Sequence, residues 1–110
     1  MAARFRLLEV LAAASAPPSV SELAVSMGVD QPRASRLVQA AVEAGHVRRE
    51  ADPADARRTQ VVLTDEGRAI VERTHGERMS AVERALDGFT DAEREQLATL
   101  LGKLADAWPR

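Results

Sequence analysis

The sequence predicts a mainly α-helical fold with one small β-hairpin. Three observations predict it: apolar residues recur at helical spacing in several segments, side-chain caps precede these segments, and two short strand-like runs flank a turn that contains aspartate and proline. With 110 residues, the chain is long enough for one compact domain with a core of ordinary size.

The composition is that of a folded protein with an aliphatic core. Hydrophobic residues make up 45% of the chain and aromatic residues only 3%, so leucine, valine and alanine must fill the interior. The charged fraction of 29% and the lack of low-complexity tracts argue against disorder. The chain has no cysteine, which excludes disulfides and thiolate zinc sites and is compatible with a reducing cytoplasm. No apolar run approaches the ~18 residues of a membrane span, so we expect no membrane association.

The first two predicted helices are separated by a pair of prolines. Apolar side chains have helical spacing over about Ala3–Ala14, and Pro17-Pro18 cannot continue that helix. Ser19 and Glu22 then match a capping box, with Ser19 as the N-cap. The short helix that follows ends at Gly28, which suits the left-handed C′ position.

The third helix is predicted to begin at Asp30, whose carboxylate can accept hydrogen bonds from the free amides of the first turn. Pro32 is tolerated there because no intrahelical donor is lost. One face carries an apolar stripe made of Ala34, Leu37, Val38, Ala41 and Val42. The opposite face carries Gln31, Arg33, Ser35, Arg36 and Gln39. Because a tight turn with glycine joins this helix to the previous one, the pair forms a helix-turn-helix.

Gly45 ends the third helix, and a β-hairpin is predicted to follow. The predicted strands are His46–Glu50 and Thr59–Leu63, the second with alternating apolar side chains. Between them, Ala51–Arg58 is predicted to be a projecting turn, because it contains aspartate and proline. A helix-turn-helix followed by a hairpin is a winged helix, so residues 1–64 are predicted to form a winged helix-turn-helix region.

Residues 65–110 are predicted to form two further helices within the same compact domain. Thr64 is the expected N-cap of a long helix that ends near Leu86, and Thr90 with Glu93 forms a second capping box before the last helix. The last helix has a wide apolar edge made of Leu97, Leu100, Leu101, Leu104 and Trp108. Such an edge needs a partner, either the first helix of the same chain or a second subunit, so we expect dimerisation helices here.

The residues favour a non-enzymatic protein. The only histidines are His46, at a helix end, and His75, on the long helix, and no nucleophile, base and orienting group occur together. There is no glycine-rich phosphate loop, and turn formation accounts for Asp52 and Asp55. We therefore expect no catalytic residues, no metal and no cofactor.

The polar face of the third helix and the hairpin arginines favour double-stranded DNA as a partner. Arginine can bond to guanine and glutamine to adenine in a major groove, and arginines on a projecting tip suit a minor groove or flanking phosphates. The segment Gln31–Val62 has six basic and four acidic residues, whereas Asp65–Arg110 has seven basic and ten acidic residues. A merely solvated helix face is the alternative. The predicted DNA-contacting residues are Gln31, Pro32, Arg33, Ser35, Arg36, Gln39, Asp55, Arg57 and Arg58.

Three stretches that cover nearly all of the chain match one known pattern. The first is SVSELAVSMGVDQPRASRLVQAAVEAGHVRRE, which contains the helix-turn-helix and the first strand. The second is DPADARRTQVVLTDEGRAIV, which contains an Asp-x-Arg wing, a V-x-L-T strand end and the start of a new helix. The third is FTDAEREQLATLLGKL, which contains the closing helix. Together they resemble the MarR (multiple antibiotic resistance regulator) family of winged-helix transcription factors. The helix that usually opens members of this family is missing from the resemblance.

The resemblance implies roles for particular residues. Asp55 and Arg57 match the family's Asp-x-Arg pair, which implies that Arg57 is directed to the minor groove and that Asp55 holds the wing in shape by pairing with a nearby arginine. It also implies a homodimer on pseudo-palindromic DNA and, as in many members, a small-molecule effector, whose identity the sequence does not give. Without the usual first helix, we expect the dimer to depend on the last two helices, either alone or together with the first helix of this chain.

The sequence therefore predicts a cytoplasmic, homodimeric, sequence-specific DNA-binding transcriptional regulator, of a kind that is most often a repressor. The alternative is a winged-helix protein-interaction or dimerisation module without DNA binding. The net charge of −2 leaves room for that alternative, because it gives no indication of a nucleic-acid partner.

Overall fold

The computed structural model of the chain describes residues 2–109. Over these residues the fold is mainly helical with one antiparallel two-stranded hairpin, as predicted. The elements, in chain order, are α1 (Ala2–Ala13), α2 (Val20–Met27), α3 (Gln31–Glu43), β1 (Val47–Asp52), β2 (Asp55–Leu63), α4 (Asp65–Ala85) and α5 (Asp91–Ala107).

The chain divides into two compact units, one that ends at His75 and one that begins at Gly76. The first unit contains the helix-turn-helix and the hairpin, with a core that α1, α2, α3, β1, β2 and the first turns of α4 all supply. Its largest fully buried side chains are Leu7, Leu8, Leu23, Val38 and Val61. These side chains are all aliphatic, and burial of each stabilises the fold by about 1.5–3 kcal/mol.

Side-chain caps fix the helix starts, as the sequence predicted. The Ser19 hydroxyl accepts from the Glu22 amide, and the Glu22 carboxylate accepts from the Ser19 amide at 2.9 Å. Asp30 accepts from the Arg33 amide at 2.7 Å and so starts α3. Each such cap is worth about 1 kcal/mol. The same capping box, formed by Thr90 and Glu93, starts α5.

The hairpin, which we call the wing, differs from the prediction in the length of its turn. Its strands continue to Asp52 and from Asp55, so that Pro53 and Ala54 alone form the turn in place of the eight residues predicted. The Asp52 Oδ1 atom accepts from the Ala54 amide at 2.8 Å, which closes the turn locally. The sequence pattern missed the outer strand pairs because their residues are mostly polar and do not alternate with apolar ones.

The wing is attached to the helix-turn-helix at its base. The Val61 amide donates to the Pro18 carbonyl at 2.8 Å, which joins β2 to the segment that leads into α2. Val61 and Leu63 are buried, as their alternation predicted, but Gln60 on the other face is only 8% exposed, so the alternation does not extend to burial. The first ladder pairs are regular from Val47 with Leu63 to Ala51 with Thr59, and the register becomes irregular between Ala51 and Asp52.

The start of α4 is packed tightly against the end of α3. The Thr64 hydroxyl donates to the Gly45 carbonyl at 2.6 Å and accepts from the Gly67 amide at 3.1 Å, which confirms Thr64 as the cap of this helix. Gly45 has a φ of +81°, a left-handed conformation that favours glycine. A Cβ atom on Gly67 would lie 2.1 Å from the His46 carbonyl oxygen, so only glycine allows this approach.

The second unit contains the end of α4 and all of α5, and it has many exposed apolar side chains. The large exposed ones are Met79, Val82, Phe89, Leu100, Leu101, Leu104 and Trp108, with exposed fractions from 42% to 64%. The α5 residues are those of the predicted apolar edge, except that Leu97 is half-buried and Trp108 lies just past the helix in an extended conformation. Exposed apolar area of this kind is typical of a surface that takes a partner.

Candidate nucleic-acid interface

Helix α3 presents one polar face to solvent because its apolar stripe is in the core. Ala34, Val38 and Ala41 are at most 1% exposed. The residues on the opposite side that the sequence predicted to contact DNA are all exposed, namely Gln31, Pro32, Arg33, Ser35, Arg36 and Gln39. The Asp30 cap and Pro32 hold the first turn, so the polar side chains project from a fixed backbone. Such a helix can place arginine, glutamine and serine donors against base edges.

Gln39 is held by other side chains. Its Oε1 atom accepts from the Arg49 guanidinium at 2.8 Å, and its Nε2 atom donates to Glu43 at 3.3 Å. The side-chain amide of Gln39 therefore connects α3 to β1. This contact links α3 to the wing on the side where both are exposed.

An open groove runs between the start of α3 and the wing. Gln31, Pro32 and Ser35 line it from α3, Val20 lines it from α2, and Arg49 and Thr59 line it from the strands. Arg49 adds a positive charge to the lining of this groove, and it was not among the residues predicted to contact DNA. Only the pairing of β1 with the helix face brings Arg49 to this place, and no periodic pattern in the sequence relates a strand residue to a helix residue ten positions earlier.

The wing places Arg57 in solvent. Its side chain is 93% exposed, and its Nε atom pairs with Asp55 Oδ1 at 3.2 Å. The same Asp55 oxygen accepts from the Arg57 amide at 3.0 Å. Asp55 therefore holds both the backbone amide of Arg57 and the Nε side of its guanidinium, while the side chain projects from the protein.

The neighbouring arginine, Arg58, is placed differently. Its Nη1 atom donates to Asp52 Oδ2 at 2.8 Å, and its Nη2 atom donates to Glu22 Oε1 on α2. The Arg58 side chain is only 33% exposed. Although the sequence predicts DNA contacts for both arginines, the structure directs Arg57 outward and Arg58 toward the protein.

The two histidines lie outside the groove. His75 on α4 contacts Glu9 on α1, with 3.3 Å between Nε2 and Oε2. His46 follows Gly45 at the end of α3, and its Nδ1 atom is buried without a hydrogen-bond partner among the described residues. Over residues 2–109, the His, Asp and Glu side chains form no group of three that could hold a metal ion. In the same span, no helix is both long enough and apolar enough to cross a bilayer.

A family model and several solved structures are similar to this chain. The model described as MarR family matches residues 2–58. A MarR family protein from Bacillus stearothermophilus superposes with a TM-score of 0.86 over 96% of this chain and 73% of its own, at 24% identity, a level that compares the fold alone. No curated protein sequence matches the chain.

Two similar structures have higher identity. A mutant of MarR from E. coli is 29% identical, with a TM-score of 0.76 over 96% of this chain and 77% of its own. BpsR from Bordetella bronchiseptica is 28% identical, with a TM-score of 0.64 over 97% of this chain and 76% of its own. The DNA binding of BpsR is regulated by 6-hydroxynicotinic acid. The likeness therefore extends over the helix-turn-helix, the wing and the helices that follow.

Proposed function

The chain belongs to the MarR family, and on that premise we propose that it is a transcriptional repressor that binds a pseudo-palindromic operator as a homodimer. The observation that carries the proposal is the pairing of two exposed basic elements in one unit. These are the polar face of α3, with Arg33 and Arg36, and the wing, with Arg57 exposed at 93%. Arginine on a helix suits guanine in a major groove, and arginine on a wing suits an adjacent minor groove.

Contacts to phosphate supply most of the affinity in this proposal, and α3 supplies the choice of bases. The groove between α3 and the wing gives Arg49 and Thr59 access to a DNA backbone that passes between the two elements. Gln31, Arg33, Ser35 and Arg36 then reach base edges. Because phosphate contacts release counterions, the affinity falls steeply as salt is raised.

The homodimer is supported by the exposed apolar side chains of the second unit. Leu100, Leu101, Leu104 and Trp108 are each more than half exposed. Burial of this face against a second copy removes apolar area from water, at roughly 25 cal/mol per Å². A two-fold dimer places two copies of α3 in successive major grooves, about 34 Å apart.

We also propose that a small molecule controls DNA binding. The support is the likeness to BpsR, whose DNA binding is regulated by 6-hydroxynicotinic acid. A thermal-shift screen of aromatic acids and phenols can identify the effector of this chain. A ligand that binds the folded chain raises the unfolding midpoint, and an effector must also weaken DNA binding.

Selection from a pool of random duplexes, followed by fluorescence anisotropy with the enriched sequence, tests the proposed function. The expected result is an enriched site with two inverted half-sites, a stoichiometry of one dimer per site, and an affinity that falls with salt. Sedimentation of the free chain gives its oligomeric state. Failure to bind any duplex at low salt would refute the proposal and favour a winged-helix interaction module.

A further inference from the structure

Arg57 and Arg58 are adjacent on β2 and have different environments because successive side chains of a strand point to opposite faces. Ala51 pairs with Thr59, and the next residue of β1, Asp52, pairs with Asp55. The three residues Ala56–Arg58 of β2 therefore lie between these two pairs. An irregularity of this kind bends the strand and increases its local twist. Arg57 points to solvent, with 93% of its side chain exposed, whereas Arg58 keeps only 33% exposed.

The guanidinium of Arg58 joins the wing to α2. One side of it binds Asp52, the last residue of β1, and the other side binds Glu22 in the first turn of α2. The planar fork of a guanidinium is suited to contact with two carboxylates at once, and a lysine ammonium lacks this geometry. The bridge spans 36 residues of sequence between Glu22 and Arg58.

Both carboxylates are held in place by backbone amides. Glu22 Oε1, the atom that binds Arg58, also accepts from the Ser19 amide at 2.9 Å in the capping box of α2. Asp52 uses its other oxygen, Oδ1, to accept from the Ala54 amide at 2.8 Å in the turn. Arg58 is therefore attached at one end to the start of α2 and at the other to the tip of the wing.

This bridge adds a second point of attachment to the wing. The first is the hydrogen bond from the Val61 amide to the Pro18 carbonyl, three residues nearer the base. A hairpin attached only at its base can swing about that point. A second attachment at Arg58 restrains this swing and so restrains the direction of Arg57.

We propose that Arg58 is a positioning residue, which holds the wing against α2 so that Arg57 reaches the DNA, and that it does not itself contact DNA. The inference rests on the proposed DNA binding and deepens it, because it divides two adjacent arginines into one that binds and one that orients. It also assigns a role to Glu22 and Asp52, two acidic residues close to a surface that binds a polyanion.

The substitution Glu22→Gln separates this role from a simple charge effect. Glutamine can still complete a capping box, so the start of α2 is retained, but the charge that holds Arg58 is lost. Removal of a carboxylate makes the chain more positive, which by bulk electrostatics strengthens binding to DNA. If Arg58 positions the wing, Glu22→Gln should change the affinity in the opposite direction and lower it by about 5- to 50-fold.

A matched control is available within the wing. Glu50 pairs with Arg48 on the same strand, so Glu50→Gln makes the same change in charge without loosening the wing from α2. We expect Glu50→Gln to leave the affinity unchanged or to raise it slightly. Asp52→Asn, which removes the charge at the other end of the bridge, should weaken binding as Glu22→Gln does.

The loss should depend on Arg57. In an Arg57→Ala background there is no wing arginine to direct, so Glu22→Gln should no longer weaken binding, whereas a general defect in folding would weaken it in both backgrounds. Anisotropy titrations of the four combinations measure this coupling. Two results would overturn the proposal. One is an equal loss of affinity from Glu22→Gln with and without Arg57, and the other is tighter binding by Glu22→Gln in a chain that retains Arg57.

Hydrogen exchange of the free protein gives a readout that does not need DNA. We expect the amides of Asp55–Thr59 to exchange faster in Glu22→Gln than in the wild type, and at the wild-type rate in Glu50→Gln. Unchanged exchange in Glu22→Gln would overturn the attachment itself. A wild-type chain that binds no duplex would instead refute the proposed function, while the exchange experiment would still decide whether Glu22 holds the wing.

Discussion

Removal of the arginine at the wing tip should weaken DNA binding without a change in the fold. The Arg57 side chain is 93% exposed and pairs with Asp55 only two residues away, so Arg57→Ala removes no core contact. We therefore expect an unchanged circular dichroism spectrum and an unchanged unfolding midpoint. The effect of the substitution should appear only when DNA is present.

The size of the loss follows from the chemistry of the contact and the symmetry of the complex. One hydrogen bond to a charged group contributes roughly 1.5–3 kcal/mol. The proposed dimer has two copies of Arg57, so loss of one such bond per subunit raises Kd by about 10²- to 10⁴-fold. If both arginines lie against phosphates, the slope of log Kd against log salt also falls by up to about 1.8.

Anisotropy titrations of a labelled operator at several salt concentrations measure both quantities. Arg73→Ala is the charge-matched control, because Arg73 is exposed on α4 and lies outside α3 and the wing. It should change Kd only slightly. A Kd for Arg57→Ala that stays within a few-fold of the control would refute the assignment of Arg57 to the DNA contact.

Three further substitutions test the proposed base contacts of α3, the tight packing of α4 and the proposed dimer. Arg33→Ala should change which bases are selected more than it changes the salt slope, and a uniform loss across sequences would make Arg33 a phosphate contact. Gly67→Ala should lower the free energy of unfolding by about 2–3 kcal/mol, because its Cβ would lie 2.1 Å from the His46 carbonyl oxygen. Gly76→Ala, where an added Cβ meets nothing within 4 Å, is its control in urea denaturation and should not destabilise the chain. Leu104→Asp should move the sedimentation coefficient from that of a dimer to that of a monomer, and a dimer that persists would exclude this part of α5 from the interface.

Local signals in the sequence predicted the helix starts because each cap depends on residues three positions apart. Ser19 with Glu22 and Thr90 with Glu93 can be recognised without knowledge of the fold, and both pairs form the predicted hydrogen bonds. The same is true of Gly28, whose positive φ is a property of a single residue. The exposed face of α3 was also predictable, since the apolar stripe determines which side is buried.

Contacts between distant residues could not be predicted in this way. The turn of the wing was predicted to be too long because Asp52 and Asp55 are strand residues here, stabilised by contacts with Ala54 and Arg57 and not by an apolar pattern. The link from Arg49 to Gln39 requires the angle between β1 and α3 to be known. Arg58 is the strongest case, because its sequence context is nearly that of Arg57 and only the fold brings Glu22 beside it.

These contacts also explain how a chain with a net charge of −2 can present a surface for DNA. A sum of formal charges treats Asp52, Asp55 and Glu22 as cancelling the wing arginines, but the cancellation depends on exposure and geometry. The pair of Asp55 with Arg57 lies at the surface, where such pairs contribute little, so a phosphate can take the place of the carboxylate. The Arg58 side chain is only 33% exposed, and both of its carboxylate partners also accept from backbone amides, so that arginine stays with the protein. In the proposed DNA interface, Asp52, Asp55 and Glu22 therefore determine which arginine is available to DNA, and the net charge does not show this.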